Sequence, residues 1–393
     1  MNLKLTKEGS IKIQVPILSS NTEESKKTPV FYNPKMEVER NLSVLAFQCY
    51  QMQKGCKLDI CDCMSGSGIR GIRYIKEIQG INKVILNDLN PLAAKLVRNN
   101  IKLNKIEDKT IVKCQDTNAL LNLLTKPKKR FDIIDIDPFG SPSPYLDSAV
   151  RAVKSGGLIA LTATDLAPLC GAKPDACKRK YGGKPLRTEY CHEIGVRLLI
   201  SSLISAAIKH GLSVKILLSH YLMHYIRVVA ILNYSVQAAN NCIKEIGYIT
   251  HCFNCLNREV VYKLSRIQND CDICGNKFSI AGPLWLGRLY DKEFCKLMLS
   301  DLKHKKFDKR IIIENLLRTI LAEKQEFHTF YVVDRVCSKM KIKTQSLGKI
   351  MDELSLRGYE ASPTHFHKSG FRTNANICEI KLTLKEISKL KKF

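Results

Sequence analysis

"CKLDICDCMSGSGIRGIRYIKEI", residues 56–78, decides the fold. Its first eight residues read as a buried strand, and residues 68–78 as the helix that follows. Between them Gly66, Gly68 and Gly71 complete a G-x-G-x-x-G. Glycines there let the backbone turn tightly and approach a ligand, with the helix amino terminus facing it. Such a turn can also be a plain connection, so its meaning depends on what flanks it.

Outward from this unit, strand and helix patterns alternate. "KVILND" (83–88), "TIVKCQD" (110–116), "FDIIDID" (131–137) and "GGLIALTAT" (156–164) read as strands. "PLAAKLVRNNIKLN" (91–104) and "EYCHEIGVRLLISSLISAAIKHG" (189–211) read as helices, the first opened by Pro91. "SVKILLS" (213–219) and "YIRVVAILNY" (225–234) lie only five residues apart. That gap is too short for a parallel crossover, so the pair must be antiparallel. The expected fold is α/β: a Rossmann-like, mostly parallel, doubly wound sheet with an antiparallel edge hairpin.

In such a sheet, ligands bind beyond the carboxyl ends of the strands, where strand order reverses. The second strand ends in Asp88, 20 residues past Gly68, where a carboxylate can take both hydroxyls of a ribose. The third ends in Asp116-Thr117-Asn118, placed to reach an adenine edge. These features fit an adenosine ligand but leave open a nicotinamide dinucleotide or S-adenosylmethionine. "IDIDPFGSP" (134–142) separates them. Asp137-Pro138-Phe139 suits methyl transfer to the exocyclic amine of a base, whose lone pair is delocalised into the ring. A carboxylate and a fixed backbone carbonyl accept the N–H hydrogens and free that lone pair. Proline restrains the backbone, the phenyl ring stacks on the base, and the carboxylate takes the released proton. Class I amino-methyltransferases carry Asp or Asn-Pro-Pro-aromatic here; this chain has one proline.

Sixty-three Lys and Arg against 37 Asp and Glu give a formal charge of +26, which favours a polyanionic partner, nucleic acid being the usual one. The start "MNLKLTKEGSIKIQVP" lacks an apolar signal region, and no later run suggests a membrane span. A soluble, cytoplasmic monomer is expected, its 16 cysteines being thiols or metal ligands. Cys252-x2-Cys255 and, fifteen residues on, Cys271-x2-Cys274 have the spacing of a four-thiolate structural zinc site. The twelve other cysteines have no ligand spacing and read as small core or surface residues. Beyond residue 308, "RIIIENLLRTILAEKQ" and "SLGKIMDELSLRGYEASPTHF" are helical, and a helix pair before "THFHKSGFRTNANICEIKLTL" suggests a winged-helix layout. The tail "KEISKLKKF" is basic and reads as a solvated helix end.

The chain resembles the tRNA (guanine-26-N2)-dimethyltransferase family over nearly its whole length. The resemblance rests on "VFYNPKMEVERNLSV" (30–44), "GSGIRGIRY" (66–74), "LNDLNP" (86–91), "DIDPFGSP" (135–142), "AGPLWLGRLYD" (281–291) and "SPTHFHKSGFRTNA" (362–375). It implies a class I methyltransferase domain over 1–238 and a C-terminal α+β, zinc-containing tRNA-binding domain over 239–393. It also implies that Arg40, Arg70, Asp88, Asp116 and the backbone at Thr117 bind S-adenosylmethionine, alongside Gly66 and Gly68. Asp137 would then be the catalytic carboxylate, with Phe31 and Phe139 lining a guanine pocket. The family usually has alanine or serine around the glycine loop and alanine where Thr117 stands, and "SHYLMHYIRV" (219–228) lacks the small polar and acidic residues it tends to place before "HYIRV". Two rival readings are a non-catalytic zinc-containing RNA-binding protein on a degenerate methyltransferase fold and an amino-methyltransferase of ribosomal RNA or DNA.

Overall fold

The computed structural model describes residues 2–17 and 30–390, so the last three residues of the basic tail lie outside it. The chain opens with an antiparallel hairpin, β1 (Leu3–Glu8) and β2 (Ile11–Pro16), that the sequence patterns did not suggest. Helix α1 (Glu37–Lys54) leads into β3 (Leu58–Asp62), α2 (Ile69–Glu77), β4 (Ile81–Asn87) and α3 (Pro91–Asn104). Next come β5 (Thr110–Lys113), α4 (Thr117–Leu123), β6 (Phe131–Ile136), α5 (Leu146–Ala152) and β7 (Val153–Ala163). Two short helices, α6 (Leu166–Leu169) and α7 (Pro174–Tyr181), precede α8 (Cys191–Ile208), β8 (Leu212–Leu222) and β9 (Tyr225–Tyr234).

The main sheet has seven strands in the order β5-β4-β3-β6-β7-β9-β8, and only β9 runs against its neighbours. The expected hairpin is tighter than its sequence gap implied. Strand β8 continues to Leu222 because Tyr221 and Leu222 pair with Ile226 and Tyr225. Only Met223 and His224 turn the corner, and Met223 takes the positive φ (51°) that two-residue hairpin turns demand. Strand order reverses between β3 and β6, so the glycine loop and Asp137-Pro138-Phe139 emerge side by side at the switch point.

After α9 (Val236–Lys244), strands β10 (Ile246–His251), β11 (Arg258–Val261) and β12 (Ser279–Trp285) form a second sheet in the order β11-β10-β12. Helices α10 (Lys292–Asp301) and α11 (Arg310–Ala322) follow. The chain ends with β13 (Tyr331–Val332), α12 (Val333–Met340), α13 (Leu347–Leu356), β14 (Ala361–Pro363), β15 (Gly370–Thr373) and α14 (Ile377–Leu390). The sequence α11-β13-α12-α13-β14-β15, with sheet order β13-β15-β14, is a winged helix.

Helix α8 is long and apolar enough to cross a membrane, but it is buried between β8 and β9 on one side and β12 on the other. It therefore belongs to one apolar core that runs from Ile11 through both sheets to Ile320 and Phe330. Helix α11 packs in that core, while α12, α13 and α14 gather round a second one, from Tyr331 to Ile387 with Leu256.

Candidate active site and metal centre

Strand β3 delivers Asp62 and the loop to Gly68. Gly66 (φ 54°) and Gly68 (φ 84°) are both left-handed, and a Cβ on Gly66 would lie 3.1 Å from the Phe31 carbonyl oxygen. Strand β4 delivers Asp88, whose two carboxylate oxygens accept from the backbone N–H groups of Gly66 (2.8 Å) and Asn90 (2.9 Å). This fixes the carboxylate while leaving acceptor capacity on both oxygens. After β5, Asp116 caps α4 by accepting from the Ala119 N–H (2.9 Å). Thr117 is accommodated where alanine is usual: its hydroxyl turns inward and donates to the Cys63 carbonyl (2.9 Å). Asn118 is tied away from the cleft, its amide donating to the Pro144 carbonyl and accepting from Ser148.

Asp137 stands at the end of β6 with its side chain 19% exposed. Both contacts from Arg70, through Nε and Nη2 at 2.7 Å, fall on Oδ2, so Arg70 leaves Oδ1 free. Arg70 also pairs with Glu39 of α1. Behind it Arg227 of β9 pairs with Glu39 (3.1 Å) and Asp135 (2.8 Å), and the Tyr74 hydroxyl donates to Asp135 (2.5 Å). Two guanidiniums thus face three carboxylates, which leaves one negative charge. Burial opposes ionisation of Glu39, but Arg70 and Arg227 outweigh it and hold the carboxyl down at about 2. For Asp137, burial wins: together with Glu39 and Asp135 it raises the pKa above the ordinary value despite Arg70. Burial, with Asp135 beside it, pushes Asp62 up to about 8.

Phe139 is 77% exposed and Phe31 40% exposed, and their rings meet edge to face with centroids 4.5 Å apart. Gly140 exchanges hydrogen bonds with Thr164, its N–H donating to Oγ1 (2.8 Å) and its carbonyl accepting from the Thr164 N–H (2.9 Å). An aromatic pair, an open carboxylate oxygen and a glycine loop therefore share one mouth. Arg40 is engaged differently. All three of its guanidinium nitrogens donate, two to Glu8 and Nη1 to the Asn33 carbonyl, which ties the loop after Phe31 to the amino-terminal hairpin.

The architecture and this mouth can be set beside known proteins. The family model described as N2,N2-dimethylguanosine tRNA methyltransferase matches residues 9–385. The chain belongs to this family. A tRNA (guanine(26)-N(2))-dimethyltransferase of Methanosphaera stadtmanae is 40% identical, over 98% of each chain. A tRNA (guanine(26)-N(2)/guanine(27)-N(2))-dimethyltransferase of Aquifex aeolicus is 35% identical, over 98% of this chain and 96% of its own. The structure of Trm1 from Pyrococcus horikoshii with S-adenosyl-L-methionine superposes with a TM-score of 0.85 at 31% identity, covering 97% of this chain and 99% of that one.

In this family member, the residues that sequence patterns passed over are the buried ones. Asp62 and Arg227 stand on apolar-looking strands, and Glu39 and Tyr74 on the buried faces of mixed helices; the only signal for Arg227 was its place in the "HYIRV" string. Two buried polar atoms at this mouth have hydrogen-bonding capacity to spare. Arg70 Nη1 has no hydrogen-bond acceptor, its ionic neighbour being Asp135 Oδ2 at 3.8 Å, and Asp62 Oδ1, just before the glycine loop, has no donor. A donor and an acceptor so placed suit the carboxylate and ammonium of a methionine moiety.

The four cysteines converge as their spacing required. Cys252 and Cys274 sulfurs lie 3.5 Å apart, as do Cys255 and Cys271, and all four fall within 4.8 Å of one another. Tetrahedral Zn–S bonds of about 2.3 Å place sulfurs roughly 3.8 Å apart, so the set fits zinc with no open position. Two matching turns build it: the N–H groups of Leu256 and Gly275 donate to the carbonyls of Cys252 and Cys271, both at 2.8 Å. Leu256 then enters the core of the winged helix.

Proposed function

We propose that this enzyme transfers methyl groups from S-adenosylmethionine to the exocyclic N2 of guanine 26 in tRNA, giving N2,N2-dimethylguanine. The observation that carries this reading is the open Oδ1 of Asp137 beside the exposed Phe31–Phe139 pair, in a chain of this family. Asp88 takes the ribose hydroxyls, while Asp116 and the Thr117 backbone lie toward the adenine. Gly66 and Gly68 let the loop close on the cofactor. Arg70 Nη1 and Asp62 Oδ1 meet the methionine end, and Arg40 acts through the loop it pins.

When bound, S-adenosylmethionine supplies a methyl group on a positively charged sulfur and leaves as a thioether. The single negative charge left among Arg70, Arg227, Glu39, Asp135 and Asp137 favours that cation. The guanine is turned out of the tRNA stack and parts the two phenylalanine rings, with Phe139 stacking on it. Asp137 Oδ1 accepts an N2 hydrogen, orients the lone pair, and takes the proton as the N–C bond forms. Arg70 keeps the carboxylate aimed throughout. For the second transfer, the remaining N2 hydrogen turns back to the same oxygen.

The C-terminal half, from about residue 239, serves as the tRNA-binding domain, with zinc in a structural role. Action as a monomer in the cytoplasm goes with this reading. The test is nucleoside analysis of unmodified tRNA treated with the protein and labelled cofactor. Dimethylguanine should form at position 26, and Asp137→Ala should lower single-turnover rates by about a hundredfold or more. Wild-type rates in that variant would make the carboxylate structural.

A further inference from the structure

Among the described residues, only one other group brings three metal-ligating side chains as close as the four cysteines do. Cys170, Cys191 and His192 have their ligand atoms within 4.8 Å of one another, and all three residues are half-buried. Twenty residues separate the two cysteines, so no spacing motif announced them. Cys170 is the cap residue of α6, and Cys191 and His192 open α8. The His192 ring is fixed by the Tyr221 ring of β8, with which it stacks at 3.6 Å and 6° between planes.

We propose that Cys170, Cys191 and His192 form a second metal site, with two thiolates and one imidazole for a zinc-type divalent ion and a water as the fourth ligand. The donor set selects for such an ion, since thiolate and imidazole suit zinc while magnesium and calcium prefer oxygen. Bond lengths of about 2.3 Å to sulfur and 2.0–2.1 Å to nitrogen need donors roughly 3.5–3.8 Å apart. The donors must therefore close by about 1.3 Å at most, which side-chain rotation can supply. Cys191 sits at the first position of an 18-residue helix, where the helix dipole favours a thiolate. Three protein donors leave the fourth position to water, unlike the closed four-cysteine centre.

The place of the site gives the ion its role. Thr164, which holds Gly140 through two hydrogen bonds, lies six residues before Cys170 on the segment that follows β7. A metal joining Cys170 to the start of α8 pins this segment from behind and so steadies the Pro138–Gly140 turn that carries Phe139. It is a structural ion for the base-reading loop.

The experiment is native mass spectrometry of the full-length protein in zinc-buffered solution, with peptide-mapped thiol alkylation on the same sample. Wild type should hold two zinc ions per chain and Cys170→Ser one. In unmutated protein, zinc should slow alkylation of Cys170 and Cys191 by about tenfold or more, because a bound thiolate is withdrawn from reaction. Cobalt in place of zinc should give thiolate-to-metal charge-transfer bands that weaken, without vanishing, in Cys170→Ser. One zinc per wild-type chain with alkylation unchanged by zinc would overturn the proposal. So would a Cys170–Cys191 disulfide forming at the same rate with and without the metal.

Discussion

The pKa of Asp137 is set by a contest between burial and Arg70, and its outcome has a kinetic signature. Burial, Glu39 and Asp135 raise it above the ordinary carboxylate range. In the proposed mechanism the reactive form is the ionised one, so a raised pKa brings protonation in at a higher pH than for an exposed aspartate. Single-turnover rates should therefore fall as pH drops through a value above the usual ~4. Substituting Glu39→Gln removes one of the like charges, which should move the inflection to lower pH. A flat profile across that range would exclude the base role. Arg227 tests the ground beneath Asp137. Its loss in Arg227→Ala leaves Glu39 and Asp135 buried with only Arg70 between them, at a cost of about 3–5 kcal/mol in chemical denaturation. The sequence made Asp137 legible because it ends a strand in a recognisable string. It could not reveal Arg227 or Glu39, since the value of a buried charge lies in partners far away along the chain.

At the scale of elements, the parallel strands were readable because strands covered on both faces become continuous apolar runs. The amino-terminal hairpin was not. Its alternation is short, and its meaning comes from Glu8, which accepts from both Arg40 (2.6 Å) and Arg73 (2.8 Å). The zinc knuckles were readable from spacing alone, but their connections were not. Arg258, just beyond the first knuckle, donates to the Phe330 carbonyl (2.7 Å) and to Glu189 (2.6 Å), and lies over the Tyr331 ring at 3.9 Å. The knuckle thus links the segment before α8 to the winged helix. Metal loss through Cys271→Ser should therefore loosen Tyr331–Ile387 as well as the β10–β12 sheet, while residues 30–234 keep their protection. Hydrogen exchange is the direct measurement. Equal protection in all three regions after metal loss would show that the thiols alone hold the knuckles.

The whole molecule is joined by a second buried charge cluster, which gives the downstream string "THF…RT" its structural sense. Glu323 accepts from Thr364 Oγ1 (2.6 Å), His365 Nδ1 (2.5 Å) and Arg372 Nε (2.5 Å). Arg372 reaches on to Glu193 of α8 (3.0 Å), and Arg197 completes the chain by donating to the Trp285 carbonyl (2.9 Å). The winged helix is thereby locked to the helix at the centre of the methyltransferase core. Burial opposes the charge on Glu323, yet Arg372 and His365 hold its carboxyl well below the usual range. A lowered carboxyl stabilises the fold above its unfolded pKa of about 4.3, and that support is lost as pH falls towards the folded value. Arg372→Ala should remove the lock at neutral pH by leaving two buried carboxylates short of a partner, costing about 3–5 kcal/mol. Because Asp88 and the glycine loop lie on the far side of the sheet order from this cluster, S-adenosylmethionine affinity should hold. Affinity for tRNA should fall, since the two halves no longer present one surface. Calorimetry with the cofactor and filter binding with tRNA separate the two effects. Parallel loss of both would mean that the cluster supports the whole core and does not act as a lock between its halves.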